Sequence, residues 1–311
     1  MIRIAEVTYG LARSAQGYWS AAGSTLVSYP SHGSDQCFGI EDGSVWFQQR
    51  NRAIQGVVGS FPPRRNGGFL DVGGGNGYVT RALQDGRFPA ALLEPSHAGA
   101  RNAVARGVEQ VICGGNETVT LREHSAAAIV PFDVVGHVSN DPAFPRSLLR
   151  LLRRGGRIYI SVPPGPARWS IDHAEAGHFR RSRRSDIEAL LTRCGFILDY
   201  STSLFWFLPL PILTLRSLPT KMGLRKRVTT ENIRAEHQVK PGWTRWLMAK
   251  VLGLEMLLLE HRVTVPDRIE SSGGRHAARR HTVIRTAKSQ SPVLNRLWCR
   301  MAASRKRRAP C

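Results

Sequence analysis

The stretch FLDVGGGNGYVTRAL, residues 69–83, decides the fold of this chain. An apolar run ends at Asp71 and Val72, three glycines follow at alternate positions (Gly73, Gly75 and Gly77), and a helical pattern comes next. An apolar strand, a glycine turn and a helix in this order are typical of a βα unit in an open α/β sheet. Glycines there permit a positive φ or a close approach of ligand to backbone. The stretch therefore predicts a ligand site at the end of a strand.

Strands and helices alternate on both sides of this turn. A helix is expected from Val45 to Val58, ahead of the turn. Further strands are predicted at AALLEP (90–95), QVICG (110–114), FDVVG (132–136), RIYISVP (157–163) and FILDYSTSLFW (196–206). Further helices are predicted at HAGARNAVARG (97–107), PRSLLRLLRRGG (145–156) and SDIEALLTRCG (185–195). The alternation predicts an α/β fold with a Rossmann-like, doubly wound and mostly parallel sheet.

The 311 residues divide into four parts by composition. Residues 1–60 form a lead-in with one helix, and residues 61–203 form the ligand-binding α/β domain. Residues 204–270 are an apolar and helical addition. Residues 271–311 are a basic tail that we expect to be poorly ordered, because they are rich in Arg, Ser and Ala and lack periodicity.

The net charge of +21 is unevenly distributed. No Asp or Glu follows Glu270, whereas eleven Lys or Arg do, so residues 1–270 carry 33 basic and 23 acidic residues, or +10. The basic tail predicts weak contact with a membrane surface or another anionic surface, but no recognisable module for specific nucleic-acid binding accompanies it. The five cysteines lack C-x-x-C spacing, so neither a disulfide framework nor a zinc site is predicted. With no signal peptide recognised, a cytoplasmic location is expected.

The spacing of the glycines favours one class of ligand. A dinucleotide site would read G-x-G-x-x-G and a Walker loop would continue into Gly-Lys-Ser/Thr, whereas this turn reads G-x-G-x-G. Asp71 beside the turn would repel a phosphate and suits an amino group. Glu94, at the end of the next predicted strand, can accept both hydroxyls of a ribose. Adenosine joined to an amino acid without phosphate describes S-adenosylmethionine, and a dinucleotide oxidoreductase is the disfavoured alternative.

At this point the sequence resembles the class I S-adenosylmethionine-dependent methyltransferases, in particular a bacterial branch termed type 11 or 12. The matching stretches are DVGGGNG, LLEP with GARNA, FDVVG, LRRGGRIYISVP and WSIDHAEAGHFRRSRRSDIEALLTRCGF, within roughly residues 35–220. The resemblance implies a seven-stranded type of sheet and S-adenosylmethionine as the cofactor.

The resemblance also implies roles for individual residues. Asp71, Gly73, Gly75 and Gly77 would line the methionine end of the cofactor. Glu94 would hold the ribose, with Pro95 beside it. The loop after the third strand would lie along the edge of the adenine, through Gly115, Asn116 and Glu117.

Two departures from the family pattern are expected to matter. Relatives carry about six more residues, of the pattern Leu-Phe-Asp-Val-Val-Glu, between the fourth strand and a histidine. Here the predicted strand FDVVG runs directly into His137, so these residues are expected to be missing, which would weaken or abolish activity. The antiparallel last strand of the family is matched only poorly, by HTVIRT (281–286), and a frameshift after about Glu260 is one hypothesis for this.

Methyl transfer needs an aligned nucleophile and, for some acceptors, a general base. His137 is a candidate base because its ordinary pKa is near 6.5. In the loop after the fifth strand, Asp172 and His178 are further catalytic candidates. Trp169, Arg180 and Arg181 are candidates for binding the acceptor, since guanidinium groups grip carboxylates and phosphates.

The sequence therefore predicts an enzyme that methylates a small-molecule acceptor, for which a sugar-linked or lipid-linked compound is one option. Two alternatives remain open. The first is a non-catalytic or impaired protein with a shortened loop after the fourth strand. The second is a nucleic-acid-modifying methyltransferase that uses the basic tail.

Overall fold

The computed structural model describes residues 3–20, 31–63, 67–115, 118–134, 142–162, 184–205, 243–265 and 283–289. The helices are α1 (Ile4–Val7), α2 (Ser31–Glu41), α3 (Val45–Ser60), α4 (Tyr78–Asp85), α5 (His97–Ala105), α6 (Ala143–Leu151), α7 (Arg184–Arg193) and α8 (Trp243–Glu260). The strands are β1 (Ala12–Arg13), β2 (Trp19–Ser20), β3 (Phe69–Val72), β4 (Ala90–Glu94), β5 (Val111–Cys113), β6 (Ala126–Ile129), β7 (Leu152–Val162), β8 (Phe196–Ser203) and β9 (Val283–Ser289).

The nine described strands form one sheet in the order β1-β2-β5-β4-β3-β6-β7-β9-β8. Strands β5, β4, β3, β6 and β7 are parallel to their neighbours in this series, and β9 is antiparallel to both β7 and β8. The predicted doubly wound, mostly parallel sheet is confirmed, with the two short strands β1 and β2 added at one edge. The strand order reverses at β3, which lies between β4 and β6.

The central strands are buried on both faces. Every residue of β3, β4, β5 and β6 is buried. One apolar cluster joins Leu70 and Ile160 to residues of α6 and α7, and the other joins Phe69 and Tyr159 to residues of α3 and α8. Burial on two faces explains why these strands read as continuous apolar runs rather than as alternating patterns.

The fourth strand of the α/β pattern lies six residues earlier than the sequence predicted. The described part of FDVVG, residues 132–134, is not a strand: β6 is Ala126–Ile129, and Phe132 makes only an isolated bridge to Ser161. Alanines have little intrinsic preference for strands, so the run Ala126–Ala128 gave no local signal, and burial between β3 and β7 decided the pairing.

This shift removes the expected shortening of the loop. Residues 131–136 read Pro-Phe-Asp-Val-Val-Gly and lie between the end of β6 at Ile129 and His137. The central four of these six residues, Phe-Asp-Val-Val, match the Leu-Phe-Asp-Val-Val-Glu pattern. The prediction of a truncated loop was wrong, because the loop itself was taken for the strand.

The last strand of the sheet is present in the sequence as it stands. Val283–Ser289 forms β9 and pairs along its length with Arg157–Val162 of β7 and with β8. It lies beyond the predicted domain end at residue 203 and inside the segment expected to be a poorly ordered tail. A frameshift is therefore not needed to supply this strand. The weak match at HTVIRT (281–286) overlaps the first four residues of β9, and the remainder follows from pairing with strands that are distant in the chain.

Two further features bear on the helices. Helix α6 ends at Leu151, not at the Gly-Gly pair, because Leu152 already pairs with Ala126 and Gly155 adopts a φ of 73° within β7. Among the described residues, no helix has the length and apolar character needed to cross a membrane.

Candidate functional site

The carboxyl ends of β3, β4, β5 and β6 meet at one edge of the sheet, where the strand order reverses. In open α/β sheets this is the position of the ligand crevice. Asp71 lies near the end of β3, Glu94 ends β4 and Cys113 ends β5. The predicted cofactor residues that the structure describes are therefore brought together by the sheet.

The three alternate glycines of the turn all have a positive φ, but they do different things. The φ values are 71° at Gly73, 58° at Gly75 and 70° at Gly77. A Cβ at Gly73 would lie 2.8 Å from Val134, and one at Gly77 would lie 2.8 Å from Ala103 and Val108.

Gly75 alone of these three faces open space. A Cβ at this position would meet no atom within 4 Å. Gly77 is needed for the packing of α4 on α5, and Gly73 is needed for the contact with the loop after β6. Gly75 is therefore the position at which bare backbone is accessible to a ligand.

The Glu94 carboxylate is fixed above this turn by two backbone N–H groups. Gly75 donates to Oε2 at 2.8 Å, and Ser96 donates to Oε1 at 2.9 Å. An ionised carboxylate has about four acceptor positions, so acceptor capacity remains for hydroxyl groups of a ligand. Burial raises the pKa of Glu94 to about 7, against the effect of the two backbone hydrogen bonds.

Asp71 lies beneath the turn and is fully buried. Its Oδ2 accepts a hydrogen bond from the Thr80 hydroxyl at 2.6 Å, while Oδ1 has no hydrogen-bond partner among the described residues. A Cβ at Gly74 would lie 2.5 Å from Asp71 Oδ2, so the carboxylate supports the turn from below. Burial raises the pKa of Asp71 to about 7, although Thr80 and Arg50 act in the opposite direction.

The remaining described cofactor candidates lie beside Glu94 and after β5. Pro95 is half-buried between Glu94 and Ser96, whose hydroxyl accepts from the Gly99 N–H at 3.3 Å and begins α5. Gly115 is half-buried, and its N–H donates to the Thr118 hydroxyl at 2.9 Å. Asn116 and Glu117, predicted to edge the adenine, lie outside the described residues.

All the predicted catalytic and acceptor-binding residues also lie outside the described part of the chain. They are His137, Trp169, Asp172, His178, Arg180 and Arg181. Their roles remain predictions. Within the described residues, no group of three or more His, Cys, Asp or Glu side chains could hold a metal ion.

Cys113, at the end of β5, does not have the character of a nucleophile. Its Sγ lies 3.3 Å from Nδ1 of His97, which also lies 3.0 Å from the Tyr18 hydroxyl. Burial raises the pKa of the Cys113 thiol to about 11, with a smaller contribution from Glu94. The thiol is therefore protonated at neutral pH, and thiolate chemistry is not expected here.

An ion pair that the sequence analysis missed anchors the loop after β6. The buried Arg50 of α3 donates to Asp133 Oδ2 at 2.7 Å, and the Ser161 hydroxyl donates to Asp133 Oδ1 at 2.8 Å. Asp133 has a φ of 60°, a conformation that Asp tolerates better than most residues. The next residue, Val134, lies against Gly73, so this pair helps to set the wall of the glycine turn.

Helix α2 is attached to the glycine turn by a second polar cluster, also missed from the sequence. Asn76 donates to the backbone oxygen of Ser34 at 2.9 Å and accepts from Asn102 at 3.1 Å. Arg106 donates to Glu41 at 2.7 Å and to the backbone oxygen of Asn76 at 3.1 Å. The one sequence signal was Asn76 itself, a polar residue in an otherwise all-glycine turn.

The described residues fit S-adenosylmethionine better than a nucleotide phosphate. Open backbone at Gly75 and a fixed carboxylate at Glu94 suit a ribose and an amino acid. Two neighbouring buried carboxyl groups would oppose a phosphate by charge repulsion.

Comparisons with known proteins agree with this geometry. The family described as a methyltransferase domain matches residues 46–200. Comparison with curated protein sequences gives no significant match. Among solved structures, a phosphoethanolamine N-methyltransferase 2 from Haemonchus contortus, in complex with phosphomonomethylethanolamine and S-adenosylhomocysteine, is similar with a TM-score of 0.51 and 14% identity. The match covers 85% of the present chain but only 59% of that protein.

A cyclopropane synthase from Mycobacterium tuberculosis is similar with a TM-score of 0.50 and 16% identity, over 84% of the present chain and 96% of the synthase. At these identities the two structures establish the shared fold. The family match covers the segment that carries the glycine turn, Glu94 and Asp133.

Proposed function

The chain belongs to the class I S-adenosylmethionine-dependent methyltransferases, and from this premise we propose that it transfers a methyl group to a small-molecule acceptor. The observation that carries the proposal is the Glu94 carboxylate held 2.8 Å from the Gly75 N–H, beside open space at Gly75. This geometry supports a role for Glu94 in accepting the ribose hydroxyls, beside bare backbone at the point where the strand order reverses.

The residues that would hold the cofactor are those of the two successive βα units. Glu94 would accept the ribose hydroxyls, and the backbone around Gly75 would lie against the amino-acid part. S-adenosylmethionine supplies an electrophilic methyl group on a sulfonium ion. The protein's task is then chiefly to bind and orient the two reactants, which can lower the barrier by about 7–11 kcal/mol at best.

The small size of the acceptor is supported by the proteins that share the fold. One is described as a phosphoethanolamine N-methyltransferase and another as a cyclopropane synthase. A sugar-linked or lipid-linked acceptor remains our more specific hypothesis. His137, Asp172 and His178 remain the candidate bases, with Trp169, Arg180 and Arg181 as candidate acceptor contacts.

The alternative of an impaired protein loses its main support. That alternative depended on a shortened loop after the fourth strand, and residues 131–136 fill this loop. We therefore propose an active enzyme. Among the described residues, no contact favours binding of nucleic acid by the basic tail.

Calorimetric titration of the full chain with S-adenosylmethionine, S-adenosylhomocysteine and NADH tests the cofactor site. We expect saturable binding of the first two ligands and none of NADH. Gly75→Arg should abolish binding by filling the open space without unfolding the protein. Gly10→Arg is the matched control, since Gly10 also has a positive φ (74°) and open space around a Cβ. Equal loss of binding in both variants, or no binding by the intact chain, would contradict the proposed site.

Turnover is tested separately by following formation of S-adenosylhomocysteine with panels of amine, hydroxyl and lipid-linked acceptors. Product formation that requires one acceptor, and that Gly75→Arg removes, is expected. Methylation of RNA or DNA in place of the small molecules would instead identify the protein as a nucleic-acid-modifying methyltransferase.

A further inference from the structure

Helix α8 is apolar on two opposite sides. One side contains Leu252, Met256 and Leu259, which are buried or half-buried against the body of the protein, with the buried carboxyl of Glu255 among them. Gln49 of α3 donates to the backbone oxygen of Leu252 at 3.2 Å, and a Cβ at Gly56 would lie 3.1 Å from Met256. This side fixes the helix on α3.

The other side presents large apolar side chains to solvent. Trp246 is 64% exposed, Leu247 46%, Leu254 47% and Leu257 53%. At about 100° per residue, these four positions fall within one sector of roughly 100° that runs along three turns. We call them the outer face of α8.

An apolar helix is ordinarily buried on all sides. Single exposed leucines are common, but a row of three with a tryptophan marks a surface that something covers. We therefore expect the outer face of α8 to be covered by a binding partner. The charged groups around the helix indicate the chemistry of that partner.

A cation, Lys250, lies beside Trp246 of the outer face. The Lys250 ammonium lies 5.8 Å from the centroid of the Trp246 ring. The sequence on both sides of the helix is basic as well: residues 216–240 contain seven Lys or Arg against two Glu, and residues 271–311 contain eleven against none. With a net charge of +21, two copies of the chain would repel each other.

We propose that the outer face of α8 docks on an anionic lipid bilayer. Leucine side chains enter the boundary between headgroups and acyl chains, and tryptophan is favoured at that depth. Lys250 extends to the headgroups, and the basic segments on either side of the helix add electrostatic attraction. Nucleic acid would satisfy the charge but would leave the leucines in water.

Co-sedimentation of the full chain with vesicles tests this docking. One set contains phosphatidylcholine alone, and the other contains phosphatidylcholine with phosphatidylglycerol. We expect binding to the anionic set that weakens with added salt. Leu254→Gln with Leu257→Gln should lower the partition coefficient about tenfold or more, since burial of one leucine is worth about as much as a tenfold change.

Ile197→Gln is the matched control, because Ile197 is 48% exposed and belongs to β8, not to the outer face of α8. Trp246→Gln provides a second variant of the outer face. Circular dichroism melts and binding of S-adenosylhomocysteine report whether each variant is folded.

Three results would overturn the proposal. The first is no binding to anionic vesicles, and the second is binding that the α8 substitutions leave unchanged. The third is a dimer in sedimentation velocity that dissociates in the Leu254→Gln, Leu257→Gln variant, which would assign the outer face to a second copy of the chain.

Discussion

The carboxylate of Glu94 accepts a hydrogen bond from the backbone N–H of Gly75 at 2.8 Å, and so joins the ends of β3 and β4. A Cβ at Gly99 would lie 2.9 Å from Glu94 Cγ and 3.1 Å from the backbone oxygen of Gly75, so a side chain there would wedge the two apart. The turn and the acid are thus fixed before any ligand binds, which lowers the entropic cost of binding.

Glu94→Gln is expected to weaken binding of S-adenosylhomocysteine. Loss of charge-assisted hydrogen bonds to the ribose corresponds to about ten- to a hundredfold in affinity. Because burial raises the pKa of Glu94 to about 7, wild-type affinity should rise with pH through this value as the carboxylate ionises.

Calorimetry between pH 6 and pH 8 measures this effect. The pH dependence should be smaller in Glu94→Gln than in the wild type. Glu255→Gln is the control, since burial also raises the pKa of Glu255 to about 7 but this residue lies on α8. A pH dependence that only Glu255→Gln reduces would contradict the role of Glu94.

Gly77→Ala is expected to destabilise the protein more than Gly75→Ala. Both glycines have a positive φ, so both variants lose about 1 kcal/mol through backbone strain. At Gly77 the new Cβ would also lie 2.8 Å from Ala103 and Val108, and such overpacking costs a further 1–3 kcal/mol, roughly. Urea denaturation measures the difference, and equal losses would mean that α5 moves to accommodate the methyl group.

Arg50 and Asp133 are expected to be energetically coupled. A double-mutant cycle with Arg50→Met and Asp133→Asn should give a coupling free energy of about 1–3 kcal/mol, because Arg50 is buried and the pair holds a left-handed residue. Asn tolerates the left-handed conformation as well as Asp does, so Asp133→Asn removes mainly the charge.

Arg81 and Asp85 supply the control cycle. They form an ion pair at 2.9 Å on the surface of α4, with side chains 43% and 57% exposed. Such pairs contribute about 0–1 kcal/mol. A coupling at Arg50 and Asp133 no larger than this would show that the pair does not hold the loop after β6.

Glu255 should make the protein less stable as pH rises. Its carboxyl accepts from the Phe205 N–H and from Gln49, yet burial raises its pKa to about 7 from an ordinary value of 4.5. The folded state therefore binds the proton more tightly than the unfolded state. The free energy of unfolding should fall between about pH 4.5 and pH 7, by up to about 1.4 kcal/mol for each pH unit.

Urea denaturation across this range checks the slope. Glu255→Gln should flatten it, and Glu260→Gln, an exposed neighbour on the same helix, should not. Asp71 and Glu94 act in the same direction, since burial also raises the pKa of each to about 7. An unchanged slope in Glu255→Gln would show that Glu255 does not titrate in this range.

The sequence was most informative where local pattern and tertiary role coincide. Helix α3, strands β3, β4, β5 and β8, and helices α4 and α5 follow from periodicity and from glycine punctuation. Gly75 and Glu94 could be singled out because a glycine turn and a strand-end acid, one βα unit apart, belong to the same edge of a parallel sheet.

Long-range pairing decided what the local pattern could not. Alanines of β6 form a strand only because β3 and β7 enclose them, and β9, matched only weakly by HTVIRT (281–286), takes its full length from pairing with β7 and β8. Arg50 and Asp133 are 83 residues apart, so their ion pair has no local signal.

The sequence by itself determined the alternation of strands and helices, the glycine turn and the acid one unit later, because these depend on residue type and short spacing. Only the tertiary structure decided that Gly75 faces open space while Gly77 packs on α5, because a glycine's role depends on which distant side chains lie where its Cβ would be.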